Sequence, residues 1–163
     1  MNPMTHHPPS SIQPNADWPS LLEAATREVF EIMLGSSLEP NAQIEDLRPP
    51  LLTGMVGLAG ATCGVLSVRC QREAAGNMAA RMLGHDAAQA DDMIADALGE
   101  VCNMIAGNFK AKVPGMAEAC MLSVPSVISG DNYELRPLTD GERCGVLLRF
   151  EGSPIEVVLD VDR

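Results

Sequence analysis

From Ala87 to Lys112 the chain reads as one long helix, and its pattern narrows the folds open to it. At about 100° per residue, Ile94, Ala97, Leu98, Val101, Ile105 and Phe109 fall on one stripe. A stripe of that kind needs an apolar surface on one side and water on the other. Opposite it, Asp96, Glu100, Asn103 and Gly107 stand at i, i+4, i+7 and i+11, with Gly99 beside the row. Pro114 and Gly115 end the helix.

The rest of the chain supplies the surface that the stripe requires. Leu51 to Cys70 is punctuated by Gly54, Gly57, Gly60 and Gly64 and reads as two strands joined by a tight turn near Ala59–Thr62. Glycines this dense mark bulges or a close approach to the sheet. Cys144–Phe150 and Ile155–Val161 are strands around a Glu151-Gly152-Ser153-Pro154 turn. In the last strand Ile155, Val157, Leu159 and Val161 point inward. Ala119–Ile128 is a strand whose Pro125 implies an edge or a bulge. Asn41–Arg48 and Asn132–Leu138 are shorter strand candidates, and Asp140-Gly141 is a turn.

Two further helices are expected. One begins near Asp17 and Ser20, with Pro19 in its first turn and Glu23 placed to form a capping box with Ser20. Leu21, Leu22, Ala25, Val29, Ile32 and Met33 recur along it, and Gly35 stops it. The other runs from Gln71 to Leu83, with Ala74, Ala75, Met78, Ala79, Met82 and Leu83 on its buried side. Strands linked by short turns make an antiparallel sheet, so the fold class is α+β: about six strands with three helices. Residues 1–16 show no apolar period and are expected to form a flexible tail, leaving 17–163 as a single domain.

Composition removes several classes of function. The formal net charge is −11, which disfavours nucleic acid and anionic membranes as partners. No run approaches the roughly 18 apolar residues of a membrane span. The first residues have neither a basic nor an apolar region, so no secretory signal is expected. Five cysteines without a CxxC pair argue against a disulfide framework or a standard zinc site, and fit reduced thiols in the cytoplasm. Cys102 is read as a small core residue rather than a reactive thiol. His6, His7 and His85 are read as exposed rather than as metal ligands. The glycines around Gly54–Gly64 do not open a helix in a GxGxxG pattern, and there is no GK[ST], GxSxG or HExxH.

The polar row on the long helix is the remaining candidate for chemistry. Any amphipathic helix has a polar face, and spacing alone does not separate the two readings. The residue types weigh against a merely solvated face. Asn competes with the backbone for hydrogen bonds and is a weak choice in mid-helix. Gly99 and Gly107 each cost about 1 kcal/mol relative to Ala, unless they serve close packing or an approaching partner. Departures of this kind concentrate where function is placed.

Asp96-x3-Glu100-x2-Asn103, continued as Met104-Ile105-Ala106-Gly107-Asn108, resembles the signature helix of the CheX/CheC/FliY chemotaxis phosphatases. The Gly-rich strand pair from Gly54 to Ser67 and the Ala/Met helix ending at Met82-Leu83-Gly84 are similar as well. The resemblance covers most of residues 17–163. It implies a CheC/CheX-like fold and hydrolysis of the aspartyl phosphate on a CheY-like response-regulator receiver. It implies that Asn103 orients the attacking water and that Glu100 docks on the receiver's lysine. Asp96, Gly99 and Gly107 are then partner-binding residues. No cofactor of its own is implied, because Mg²⁺ belongs to the receiver.

CheC-like members carry two such motifs. The first helix here offers Glu23 with Thr26 and Glu28 with Glu31, and neither pair has Asn three residues after Glu. One site per chain is the CheX-like arrangement, for which the resemblance implies a homodimer. The alternative is a non-catalytic CheX-like binding module that docks on a receiver or signalling protein. A flagellar-switch part, as in the FliY branch, is less favoured because no second domain follows.

Overall fold

A computed structural model of the chain describes residues 11–41, 47–84, 90–137 and 140–162. In chain order the elements are α1 (Trp18–Leu34), β1 (Glu39–Pro40), β2 (Leu51–Gly60), β3 (Gly64–Gln71), α2 (Arg72–Leu83), α3 (Asp91–Lys112), α4 (Met116–Ala119), β4 (Cys120–Leu122), β5 (Ser126–Gly130), β6 (Arg143–Phe150) and β7 (Ser153–Val161). The strands form one antiparallel sheet in the order β1-β6-β7-β3-β2-β4, with β5 continuing the β4 edge against β2. Among the described residues the sheet has seven strands, in keeping with the expected number, and the expected Ala119–Ile128 strand is split in two at Ser123–Pro125.

The three longer helices cover one face of the sheet. Helix α3 lies over β2 and the β4–β5 edge, α1 over β6, and α2 over β3 and β7. Burial along β7 follows the expected inward set of Ile155, Val157, Leu159 and Val161. Edge-to-face rings, Phe30 on Phe150 and Trp18 on Phe109, join α1 to the sheet and to α3, with centroids 5.0 and 5.4 Å apart. The hairpin between β6 and β7 turns on Glu151 and Gly152, both at positive φ (49° and 85°), so the turn is two residues long.

Several local expectations are corrected. The capping box does not form. Pro19 already sits inside the helix begun at Trp18, Ser20 follows it, and Glu23 pairs with Arg27 at 2.8 Å. Ile32 and Met33 face solvent, because Trp18, Leu22, Ala25, Val29, Phe30 and Leu34 define the buried stripe of α1. Leu83 is exposed at the end of α2. Residues 132–137 form no strand; the Tyr133 hydroxyl instead meets the Thr53 hydroxyl at 2.7 Å on the sheet's other face. In the expected Asn41–Arg48 strand, Asn41, Leu47 and Arg48 are not strand and residues 42–46 lie outside the described residues, as do His6, His7, His85 and 87–89 of the expected long helix, which begins at Asp91 after an extended Ala90. Of the expected tail, 1–10 lie outside as well. Within 11–16, Ile12 donates to the Ala61 carbonyl at 3.0 Å and accepts from the Thr62 hydroxyl at 2.7 Å.

One polar joint locks α1 to α3. Glu28 accepts from Lys112 at 2.6 Å and from Asn108 at 3.0 Å, and Asn108 also donates to the Ala25 carbonyl at 3.3 Å. The Lys112 ammonium and then the Asn108 amide hold the Glu28 carboxyl below its usual range. A lowered carboxyl pKa stabilises the fold above the unfolded-state value and loses that contribution as the pH falls through the folded value. Glu28→Gln should therefore lower the urea midpoint at pH ~7. The difference between the two proteins should shrink as the pH is lowered below the ordinary carboxyl range.

Candidate functional site

The site begins where α3 meets the sheet. Gly54 on β2 leaves room for it: a Cβ there would lie 3.3 Å from the Leu98 carbonyl oxygen, the Leu98 Cγ and the Cys102 Cβ. The helix therefore seats its Leu98–Cys102 side directly on the strand, and Ile94, Ala97, Val101, Ile105 and Phe109 are buried with it. Charges reinforce the direction of the helix. Asp91 and Asp92 occupy its first turn and Lys110 and Lys112 its last, matching the helix dipole. Arg72 pairs with Asp91 and ties this end to α2.

With that side buried, the polar row faces out. Asp96 and Glu100 are exposed, while Asn103 and Gly107 are half-buried. Asp96, Glu100 and Asn103 make no side-chain hydrogen bond or ion pair with any described residue. Elsewhere on the helices, the neighbouring Asn108 is fully engaged with α1. Asp96 and Glu100 border a shallow cleft of about 370 Å³, whose other walls are Ala95, Gly99, Pro125 and Val127.

The two glycines have different surroundings. Gly99 is buried, and a Cβ on it would sit 3.5 Å from Val127 and 3.6 Å from Pro125, an ordinary contact. It forms the floor of the cleft and lets α3 pack against the β4–β5 edge. Gly107 faces open space, with nothing within 4 Å of its missing Cβ. Cys102 is buried on the sheet side, and its thiol donates to the Leu66 carbonyl at 3.7 Å. Burial pushes that thiol up to about 12, which leaves no reactive thiolate at neutral pH.

Pro125 and Val127 were not singled out as site residues by sequence pattern. The signal was Pro125 itself, which marks the interruption of the edge. What the chain alone does not disclose is that this interruption falls beside Gly99. Among the described residues, no group of three or more His, Cys, Asp or Glu is placed to hold a metal ion, and no helix is long and apolar enough to cross a membrane.

The fold is thus an antiparallel sheet covered on one face by helices, with a carboxylate and a carboxamide unpaired among the described residues on the outer side of α3. Comparison with known proteins identifies the family. The family described as chemotaxis phosphatase CheX matches residues 52–149, which includes the strand pair, α2 and the whole of α3. The chain belongs to the CheX family of chemotaxis phosphatases.

Solved structures agree in fold. Chemotaxis protein CheX from Vibrio vulnificus is 20% identical with a TM-score of 0.77, over 93% of this chain and 100% of that one. CheX from Desulfovibrio desulfuricans is 25% identical with a TM-score of 0.75, over 90% and 99%. The CheX–CheY–BeF3–Mg²⁺ complex from Borrelia burgdorferi contains a chain 22% identical with a TM-score of 0.72, over 91% and 100%. No protein of curated function matches the chain in sequence.

The open surroundings of Gly107 carry a prediction. If no packing requires glycine there, Gly107→Ala should raise stability by about 0.5–1 kcal/mol through helix propensity alone. Urea titration of the two proteins checks this, and a lower midpoint for the variant would mean that the surroundings are not open.

Proposed function

We propose that this chain hydrolyses the aspartyl phosphate of a CheY-like receiver domain, with α3 as the element that enters the receiver's site. The observation that carries this reading is the outward, unpaired Glu100 and Asn103, one turn apart on the helix within the family match. The Borrelia relative in complex with CheY, BeF3 and Mg²⁺ supports the same choice of partner.

The chemistry asks little of the protein except position. Water attacks phosphorus in line with the aspartyl oxygen, the phosphorus–oxygen bond breaks, and the receiver's carboxylate and inorganic phosphate are released. The water's protons leave with the phosphate, so no protein base is needed. The transition state is loose, and most of the acceleration comes from holding the water in place. Asn103 suits that role, because its amide offers both an acceptor and donors and does not titrate. Glu100, about one turn away, is placed to pair with the lysine that the receiver supplies. Asp96 extends the acidic row toward the rim of the contact, and Gly99 and Gly107 keep bulk away from it. Mg²⁺ enters as part of the substrate. In this reading the protein acts in the cytoplasm as a homodimer with one site per chain.

Phosphate release from receivers loaded with acetyl phosphate tests the proposal. Asn103→Ala should lose about a hundredfold in turnover with its fold intact. Glu100→Ala should raise KM and lower kcat together, since one contact serves docking and register. If the parent binds a receiver but never accelerates phosphate loss, the chain is a docking module. Equal rates for parent and both variants would remove the assignment to α3.

A further inference from the structure

Beside the polar row lies an apolar feature that the chemistry above does not use. From Ala119 to Gly130 no residue is charged, although the chain as a whole carries 20% charged residues. Within this segment Val124 is 85% exposed. It sits at the interruption between β4 and β5, where the edge leaves the ladder with β2. An exposed valine is unremarked on most surfaces, but this one is held in place. The Gly57 amide donates to Ser123 Oγ at 2.8 Å, and the Ser123 amide donates to the Gly57 carbonyl at 2.9 Å. The Ser123 hydroxyl also donates to the Val124 carbonyl at 3.0 Å. On the next residue, Pro125 packs over Gly99.

The position of this bulge relative to α3 follows from two anchors. Gly99 stands against Pro125, and Lys110 Nζ donates to the Cys120 carbonyl at 2.6 Å. From Gly99 to Lys110 the helix advances about 16 Å. From Pro125 back to Cys120 the edge covers about the same distance. Helix and edge therefore run side by side in opposite directions between the anchors. Asn103 is one turn beyond Gly99 on the same flank, which brings it abreast of Ser123 and Val124.

We infer that the Val124–Pro125 bulge is the apolar half of the receiver-docking surface, gripping an apolar patch beside the receiver's acyl-phosphate pocket while Glu100 and Asn103 enter it. This rests on the reading of α3 given above. A second copy of the chain fits the feature less well. Pro125 and the bulge break the edge, so continuous strand pairing is blocked. A stable dimer also needs about 800 Å² per partner, far more than Met121 and Val124, the two most exposed apolar side chains of this edge, provide. A small, preorganised apolar anchor beside a polar reactive row suits a partner that must arrive and leave in every turnover.

The test uses the full chain and CheY-type receivers, loaded either with BeF3 and Mg²⁺ for binding or with acetyl phosphate for turnover. Val124→Asp should weaken binding and raise KM by about tenfold or more, with kcat within about twofold of the parent. Val124→Leu should stay near the parent in both. Ser123→Ala, which removes the hydroxyl contacts of the bulge and keeps its backbone bond to Gly57, should raise KM without lowering kcat. An unchanged thermal midpoint in Val124→Asp shows that the fold is kept. Equal Kd and KM for Val124→Asp and parent would overturn the inference while leaving turnover by Asn103 standing. Loss of a dimer in Val124→Asp with KM unchanged would overturn it too, by assigning the bulge to a second copy. Parent binding without turnover would sink the hydrolytic reading alone, and a parent that binds no receiver would sink both.

Discussion

Everything outward on this molecule depends on how closely α3 approaches β2 at Gly54. At 3.3 Å from the Leu98 carbonyl oxygen, there is no space for a side chain without a shift of helix or strand. Seating the helix that deep fixes its rotation, since Leu98 and Cys102 must face the strand. Once the rotation is fixed, Asp96, Glu100 and Asn103 have only one direction left. A helix resting on a bulkier strand could roll by tens of degrees and still bury much of its apolar stripe. The glycine-dense strand and the polar row are thus two parts of one constraint, though they stand some forty residues apart in the chain.

Periodicity made α3 legible because its apolar stripe and polar row are long enough to define a rotation. The strands of the two main hairpins were legible through alternation and turn residues; β7 places its four inward residues as its pattern requires. Short signals failed for physical reasons. Ser20 and Glu23 have the spacing of a capping box, but the chain reaches helical geometry at Trp18, before Ser20, and Arg27 is a better partner for Glu23 than a backbone amide. Asn132–Leu138 has strand-like spacing, yet Tyr133 finds the Thr53 hydroxyl and no neighbouring strand takes up the segment among the described residues. In both cases a long-range or competing contact outweighed a local preference.

The site was legible in its residues but not in its walls. Gly99 and Gly107 look alike in the sequence, as two weak helix formers near one polar row. In the fold one is a packing glycine under Pro125 and the other stands open. That distinction depends on where the edge of the sheet falls, and no pattern within α3 encodes it. Pro125 signalled an interrupted edge, and only the tertiary structure puts the interruption next to the helix.

The contrast between α1 and α3 bears on why one row is available to a partner and the other is not. Both helices carry exposed-side acids, and α1 even has Glu23 and Glu28 at positions that invite comparison with a second site. Thr26, three residues after Glu23, is buried and returns its hydroxyl to the Leu22 carbonyl at 2.8 Å. Glu28 is occupied by Lys112 and Asn108 from α3. Any incoming cation would have to displace an ammonium already at 2.6 Å. Glu100 has no such internal partner among the described residues. The same carboxylate chemistry thus serves as a strut on one helix and remains uncommitted on the other. The difference lies in whether the fold supplies the counter-charge or leaves it for another molecule to bring.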